Sequence, residues 1–166
     1  MTILKHSLLA SLLMVGFHAQ ADDISVLLHG ATIHTRCSEG VGPKAKTCDL
    51  EGFNPGIGVE WTFLGSEQTG KLSLRSGFYH DSYRETAVYA GATYRKEWDV
   101  SEDWRLGAGL MAGYLDGSGT KGLAVLPIGI VSYQSYSLEV GFAPKTSAVP
   151  GRGHSGLITF MLRKQF

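Results

Sequence analysis

Residues 77–91 read GFYHDSYRETAVYAG and bring a histidine, a serine and a glutamate within a few positions of one another. A nucleophilic serine needs a base within hydrogen-bond reach and an acid that orients the base. His80 and Ser82 are two apart, and on a strand residues i and i+2 share a face. His80 as base, Ser82 as nucleophile and Glu85 as orienting acid therefore form a candidate catalytic set. The same letters also describe a turn. Asp and Ser close tight turns by hydrogen-bonding nearby backbone N–H groups, and Asp81-Ser82 sits between two alternating aromatic runs. The turn reading needs no catalysis and ranks first; the catalytic reading stays open beside it.

The rest of the chain offers few competitors. His29 and His34 lie on or near one segment, five apart, and strict alternation puts them on opposite faces. His154 falls in a later loop, AVPGRGHSG. No histidine pair has the spacing of ligands on one face, so no metal and no cofactor is expected. No phosphate loop, dinucleotide fingerprint or G-x-S-x-G elbow occurs. Cys37 and Cys48 are the only cysteines and bracket SEGVGPKAKT. Two cysteines around one loop of an exported protein are expected as a disulfide, with a stabilisation of about 3 kcal/mol for so short a loop. Basic and acidic residues balance at 15 each, which provides no field for nucleic acid.

The elements that would position these residues start after a leader. Residues 1–21 carry Lys5, an apolar run from Leu8 to Phe17 and the terminal Ala19-Gln20-Ala21. That is the pattern of a secretory signal peptide, so the expected single domain covers 22–166. Within it, period-two patterning replaces helical periodicity. Ile57, Val59, Trp61 and Phe63 alternate with Gly56, Gly58, Glu60 and Thr62; Leu72, Leu74 and Phe78 alternate with Ser73, Arg75, Gly77 and Tyr79. Trp104, Leu106, Ala108, Leu110, Ala112 and Tyr114 do the same against Arg105, Gly107, Gly109, Met111 and Gly113. Eight such segments are expected, near 24–36, 54–65, 70–82, 85–98, 103–115, 122–133, 135–144 and 155–166.

The polarity of the pattern selects the architecture. One face is uniformly apolar, and the other carries Gly, Ser, Thr, Glu and Arg, as in a barrel whose outside meets lipid. Glycines suit the inside of a narrow barrel, where side chains from every strand converge, and strand-end aromatics (Trp61, Trp98, Trp104, Tyr114, Tyr136) suit interfacial girdles. The expected fold is all-β: an eight-stranded antiparallel up-and-down transmembrane barrel. Glu60, Arg75, Arg95, Arg105 and Glu139 fall on its lumenal face, where buried charges must pair. They are expected as an ion-pair network that closes the lumen. By strand parity the connections after the odd-numbered strands, 116–121 among them, share one side, and that set includes the longest connections.

Two resemblances follow from these residues. The His-x-Ser pair on an outer-membrane barrel resembles the lipid A 3-O-deacylase family, eight-stranded barrels in which a His-Ser-Glu triad on the outer surface cleaves an acyl ester of lipopolysaccharide. That resemblance implies His80, Ser82 and Glu85 in those roles. N-P-G-x-G-x-E-W at 54–61, with the G-x-Y-x-D-S…Y-A-G pattern across 77–91, is similar to a group of short exported barrel proteins of bacteria and their phages. In that group the Asp/Asn-Ser pair is the steadier feature.

The functional expectation is a small outer-membrane barrel of a Gram-negative bacterium, with a structural or surface-interaction role and no pore. The alternative is a lipid A or phospholipid acyl-ester hydrolase using His80 and Ser82, and a second alternative is a soluble periplasmic β-barrel binding protein. Expected partners are outer-membrane lipid, lipopolysaccharide and the barrel-assembly machinery.

Overall fold

The computed structural model describes residues 24–35, 38–39, 46–47, 49–143 and 156–166. The expected signal peptide, Cys37, Cys48 and His154 lie outside the described residues.

Every regular element among the described residues is a strand: β1 (Ile24–Thr35), β2 (Ser38–Glu39), β3 (Lys46–Thr47), β4 (Phe53–Ser66), β5 (Gly70–His80), β6 (Thr86–Asp99), β7 (Trp104–Gly117), β8 (Thr120–Tyr133), β9 (Tyr136–Ala143) and β10 (Gly156–Gln165). Eight of them close into an antiparallel barrel in the order β1-β10-β9-β8-β7-β6-β5-β4, and β2 and β3 pair separately inside the connection after β1. The closing seam runs from Ser25↔Gln165 to Thr35↔Gly156. Closure gives every strand of the barrel two neighbours, which is what a strand structure needs in hydrocarbon.

The barrel is inside-out relative to a soluble protein. Outward positions expose Ile57 at 45% and Leu123 at 88%, while the inward Glu60 and Arg95 keep 1% and 2%. An apolar exterior around a charged interior is stable only where lipid solvates the outside, so this is a barrel of outer-membrane type and the soluble periplasmic alternative falls. Aromatic residues gather near one rim of the outer face, with Trp98, Trp104, Tyr133, Tyr136 and Phe166 all exposed. Lys164, a basic residue in the apolar outer pattern, holds its ammonium 4.2 Å from the Tyr136 ring centroid. Its charge thus reaches the interface from an apolar stem.

Three departures from a regular barrel with the expected strand ends matter. A bulge at Gly30 shifts the β1 register between His29 and Ala31 against both neighbours. The extra residue turns the upper half of β1 over, and His29 and His34, expected on opposite faces, both point inward. The connection expected over 116–121 narrows to a tight turn at Ser118 and Gly119 between extended strands. Its entry residue Gly117 has φ +134°, and a Cβ there would stand 2.3 Å from that of Ala87. Gly117→Ala is therefore expected to cost about 1–3 kcal/mol of barrel stability by overpacking, measured by urea unfolding in lipid vesicles. Finally, β8 pairs with β9 only from Ile128 onward. Among the described residues, Thr120–Pro127 has no partner on that side, and Pro127 has no N–H to offer one.

Candidate functional site

The lumen divides into two zones. In the half nearer the N-terminus, Arg75 donates from Nε to Glu60 Oε2 (2.9 Å) and from Nη1 to Glu139 Oε2 (2.9 Å). Arg95 pairs with Glu60 through Nη1 and reaches Thr62 Oγ1 at 3.3 Å through Nη2. Arg105, placed in the same layer by the sequence, sits at its mouth and donates to Glu97 Oε2 at 3.2 Å. Two members were not singled out from sequence. Glu97 accepts from Ser132 Oγ (2.6 Å) and from Arg163 Nη2 (3.3 Å), and Arg163 also donates to Ser137 Oγ at 2.9 Å. Both follow from parity: Glu97 is two from Arg95 on β6, and Arg163 lies opposite the outward Leu162 on β10. This cross-linked layer pairs the buried ions of that half of the lumen with one another, the condition under which buried charge is tolerated.

The other half of the lumen is apolar and less tightly filled. Its inward positions include Tyr89, Met111, Leu126, Ile128 and Gly141; Met111 and Leu126 keep intermediate exposure, unlike the ions below them. His29 lies in this zone, its Nε2 2.9 Å from Tyr89 Oη and its ring stacked on Tyr79.

At the end of the apolar zone stands Ser82. β5 ends at His80, and the chain turns at Asp81 rather than continuing in register. This corrects the sequence-based set. His80 is exposed on the outer face, whereas Ser82 is buried and faces the lumen. The strand ends between them, so the i, i+2 rule no longer applies. Glu85 is exposed and takes part in the turn through its backbone: its carbonyl accepts from Asp81 N–H at 2.8 Å. The structure does not bring His80 and Glu85 to Ser82.

It brings His34 instead. His34 Nε2 lies 2.8 Å from Ser82 Oγ, across 48 residues of sequence. Asn54, buried at the start of β4, directs Nδ2 to Ser82 Oγ at 3.3 Å and to the His80 carbonyl at 3.0 Å. Glu51 N–H donates to the Ser82 carbonyl at 3.0 Å, which fixes the turn against the β4 side. The result is a hydroxyl with a histidine base in contact and an amide donor beside it, at the rim of an apolar lumen. That arrangement can activate an oxygen nucleophile. Asn54 is inward by the same alternation that places Glu60 inward, so parity could have found it. The bulge that delivers His34 left only a lone glycine in the sequence.

No curated protein matches the chain. Among solved structures, Neisserial surface protein A shares 16% identity over 87% of this chain and 97% of its own, with a TM-score of 0.45. Residues 16–164 match the family described as antimicrobial peptide resistance and lipid A acylation protein PagP, and the chain belongs to that family.

Proposed function

We propose that the protein is an outer-membrane acyltransferase that adds an acyl chain to lipid A, with Ser82 as nucleophile and His34 as its base. The observation that carries this is the 2.8 Å contact between His34 Nε2 and Ser82 Oγ at the end of an apolar lumen. The family description supplies the direction of the chemistry: acylation, the reverse of the removal implied by the deacylase resemblance. Ester transfer serves both directions, since only the acceptor differs.

The steps balance with groups present on the chain. His34 takes the Ser82 proton as Oγ attacks the carbonyl of a membrane ester lipid. The alkoxide of the lyso-lipid leaves with that proton, and the acyl group rests on Ser82. A lipid A hydroxyl then attacks the acyl-serine, gives its proton to His34, and Ser82 recovers it. Asn54 Nδ2–H offers a donor beside the oxygen on which charge develops. An apolar lumen under Ser82 suits the hydrocarbon tail of the transferred group, and the charged layer below bounds its depth. The stretch of β8 without a β9 partner offers a way in from the bilayer.

The test is to express the chain in a Gram-negative outer membrane and read lipid A by mass spectrometry. Wild type is expected to add the mass of one acyl chain, and Ser82→Ala is expected to add none while keeping heat-modifiable gel mobility. Unchanged lipid A beside a folded wild-type barrel would sink the proposal and leave a structural surface role.

A further inference from the structure

The turn that carries Ser82 also places a cation beside it. Arg84 stands two residues past Ser82 in the connection from β5 to β6, with φ 66°. A turn position in the left-handed region is normally filled by glycine or asparagine. A long side chain there costs energy that the turn itself does not require. The Arg84 side chain is 65% exposed, with Nη2 3.6 Å from Asp49 Oδ2 and Nε 3.6 Å from Glu51 Oε2. Both separations exceed a normal hydrogen bond. Asp49 is itself 94% exposed, and an open, loose ion pair of this kind holds an arginine weakly.

Glu51 ties this guanidinium to the serine. Its carboxylate faces Arg84, and its N–H donates to the Ser82 carbonyl at 3.0 Å. The cation therefore lies along the backbone of Ser82 on the exposed side of the rim, whereas Ser82 Oγ points into the lumen toward His34. A lipid whose acyl chain enters the lumen with its ester at Ser82 Oγ leaves its headgroup on that exposed side. Both lipids of the proposed reaction carry phosphate there, the glycerophospholipid beside its glycerol and lipid A on its sugars. Lys121, the exposed cation of the neighbouring β7–β8 hairpin, is held more closely, by Asp116 Oδ2 at 3.0 Å.

We propose that Arg84 is a lipid-phosphate site: its guanidinium leaves Asp49 and Glu51 to take the headgroup phosphate of the lipid whose ester stands at Ser82. The site rests on reading Ser82 as the nucleophile of an acyltransferase, but binding can be judged without transfer. The planar arginine fork meets two phosphate oxygens at once, in closer geometry than the two carboxylates it gives up. The contact is the same before and during reaction of the ester, so it contributes to binding rather than to the chemical step. Donor and acceptor occupy Ser82 in turn, so one guanidinium serves whichever phosphate is present.

The experiment titrates full barrels carrying Ser82→Ala, alone or with Arg84→Gln or Arg84→Gly, in a phosphate-free detergent. The probes are bisphosphorylated lipid A, lipid A stripped of both phosphates, and a diacylglycerophospholipid. Kd is read by NMR from the backbone amides of the Ser82 turn, and the Arg84 Nε–H resonance reports contact with phosphate. At least one phosphate-bearing lipid is expected to shift that resonance. Arg84→Gln is expected to weaken the same lipid about 10- to 100-fold, the range of a charged hydrogen bond, and to leave stripped lipid A unchanged. Arg84→Gly, which removes the strain at φ 66°, is expected to bind as weakly as Arg84→Gln. A shift with lipid A alone assigns the acceptor, with the glycerophospholipid alone the donor, and with both a shared site. In the barrel with Ser82 intact, Arg84→Gln then raises KM for that lipid by the same factor with kcat little changed. Equal Kd for Arg84→Gln and its parent would overturn the site. So would equal weakening of stripped lipid A, or parent-like affinity in Arg84→Gly, since the turn rather than the charge would then set binding. If wild type transfers no acyl chain, the acyltransferase reading fails while the titration still decides the phosphate site.

Discussion

His34→Ala is expected to lower acyl transfer by at least about 100-fold, the smaller end of what a positioned general base contributes, while His80→Ala stays within about two-fold of wild type. Both histidines lie at the same end of the barrel, and only contact with Ser82 Oγ separates them. His34 Nε2 is 2.8 Å from that oxygen, whereas the His80 imidazole is exposed on the outer face and contributes its backbone carbonyl to Asn54. Removing His34 leaves Ser82 with the Asn54 amide, which donates a hydrogen bond but takes no proton. The loss should therefore fall on kcat, because the base acts only as the serine proton moves. The measurement is the initial rate of acyl transfer to lipid A by each variant at matched amounts of folded barrel. Equal rates for His34→Ala and wild type would remove the base from the mechanism. A large loss in His80→Ala would restore the outer-face triad.

Glu60→Ala is expected to be the most damaging single change to the barrel itself, at about 3–5 kcal/mol. That is the usual cost of deleting one partner of a buried ion pair and leaving the other uncompensated. Glu60 accepts from both Arg75 and Arg95, and Arg163 lies 3.9 Å away. Without it, these guanidiniums share Glu139 and Glu97, and Arg75 and Arg163 stay buried. Urea unfolding in lipid vesicles, followed by the fluorescence of Trp61, Trp98 and Trp104, reads the loss directly. The double variant Glu60→Ala, Arg95→Ala is expected to lose less than the sum of the single losses, because the two side chains satisfy each other. A Glu60→Ala loss below about 1 kcal/mol would mean that water, rather than pairing, solvates the layer.

The architecture and the lumenal ions were legible because a strand barrel obeys one short-range rule. Alternation has period two, and a lipid-facing barrel needs one face wholly apolar. Ile57, Val59 and Trp61 therefore declared the outside of β4 and Glu60 its inside, with no reference to any other strand. The strand bounds follow the same logic and differ by a few residues, mainly where 116–121 turned out to be two extended strand ends around Ser118-Gly119.

The candidate site was legible only in part, for the same reason. Ser82 and its turn lie in one contiguous stretch, and Asp81 serves the turn as its residue type suggests. The base could not be read, because its position depends on two events that break alternation. The Gly30 bulge reverses the faces of β1 beyond it, bringing His34 inside, and the turn at Asp81 separates His80 from Ser82. A slip of one residue moves every later side chain to the opposite face, and nothing local in HGA at 29–31 announces it. The sequence by itself determined the barrel, its lipid-facing exterior and its charged lumen, since these rest on contacts between residues two apart and on solvation. Which histidine meets Ser82 was decided by closure of the sheet, because only the register of β1 against β4 and β10 carries His34 to a residue 48 positions away.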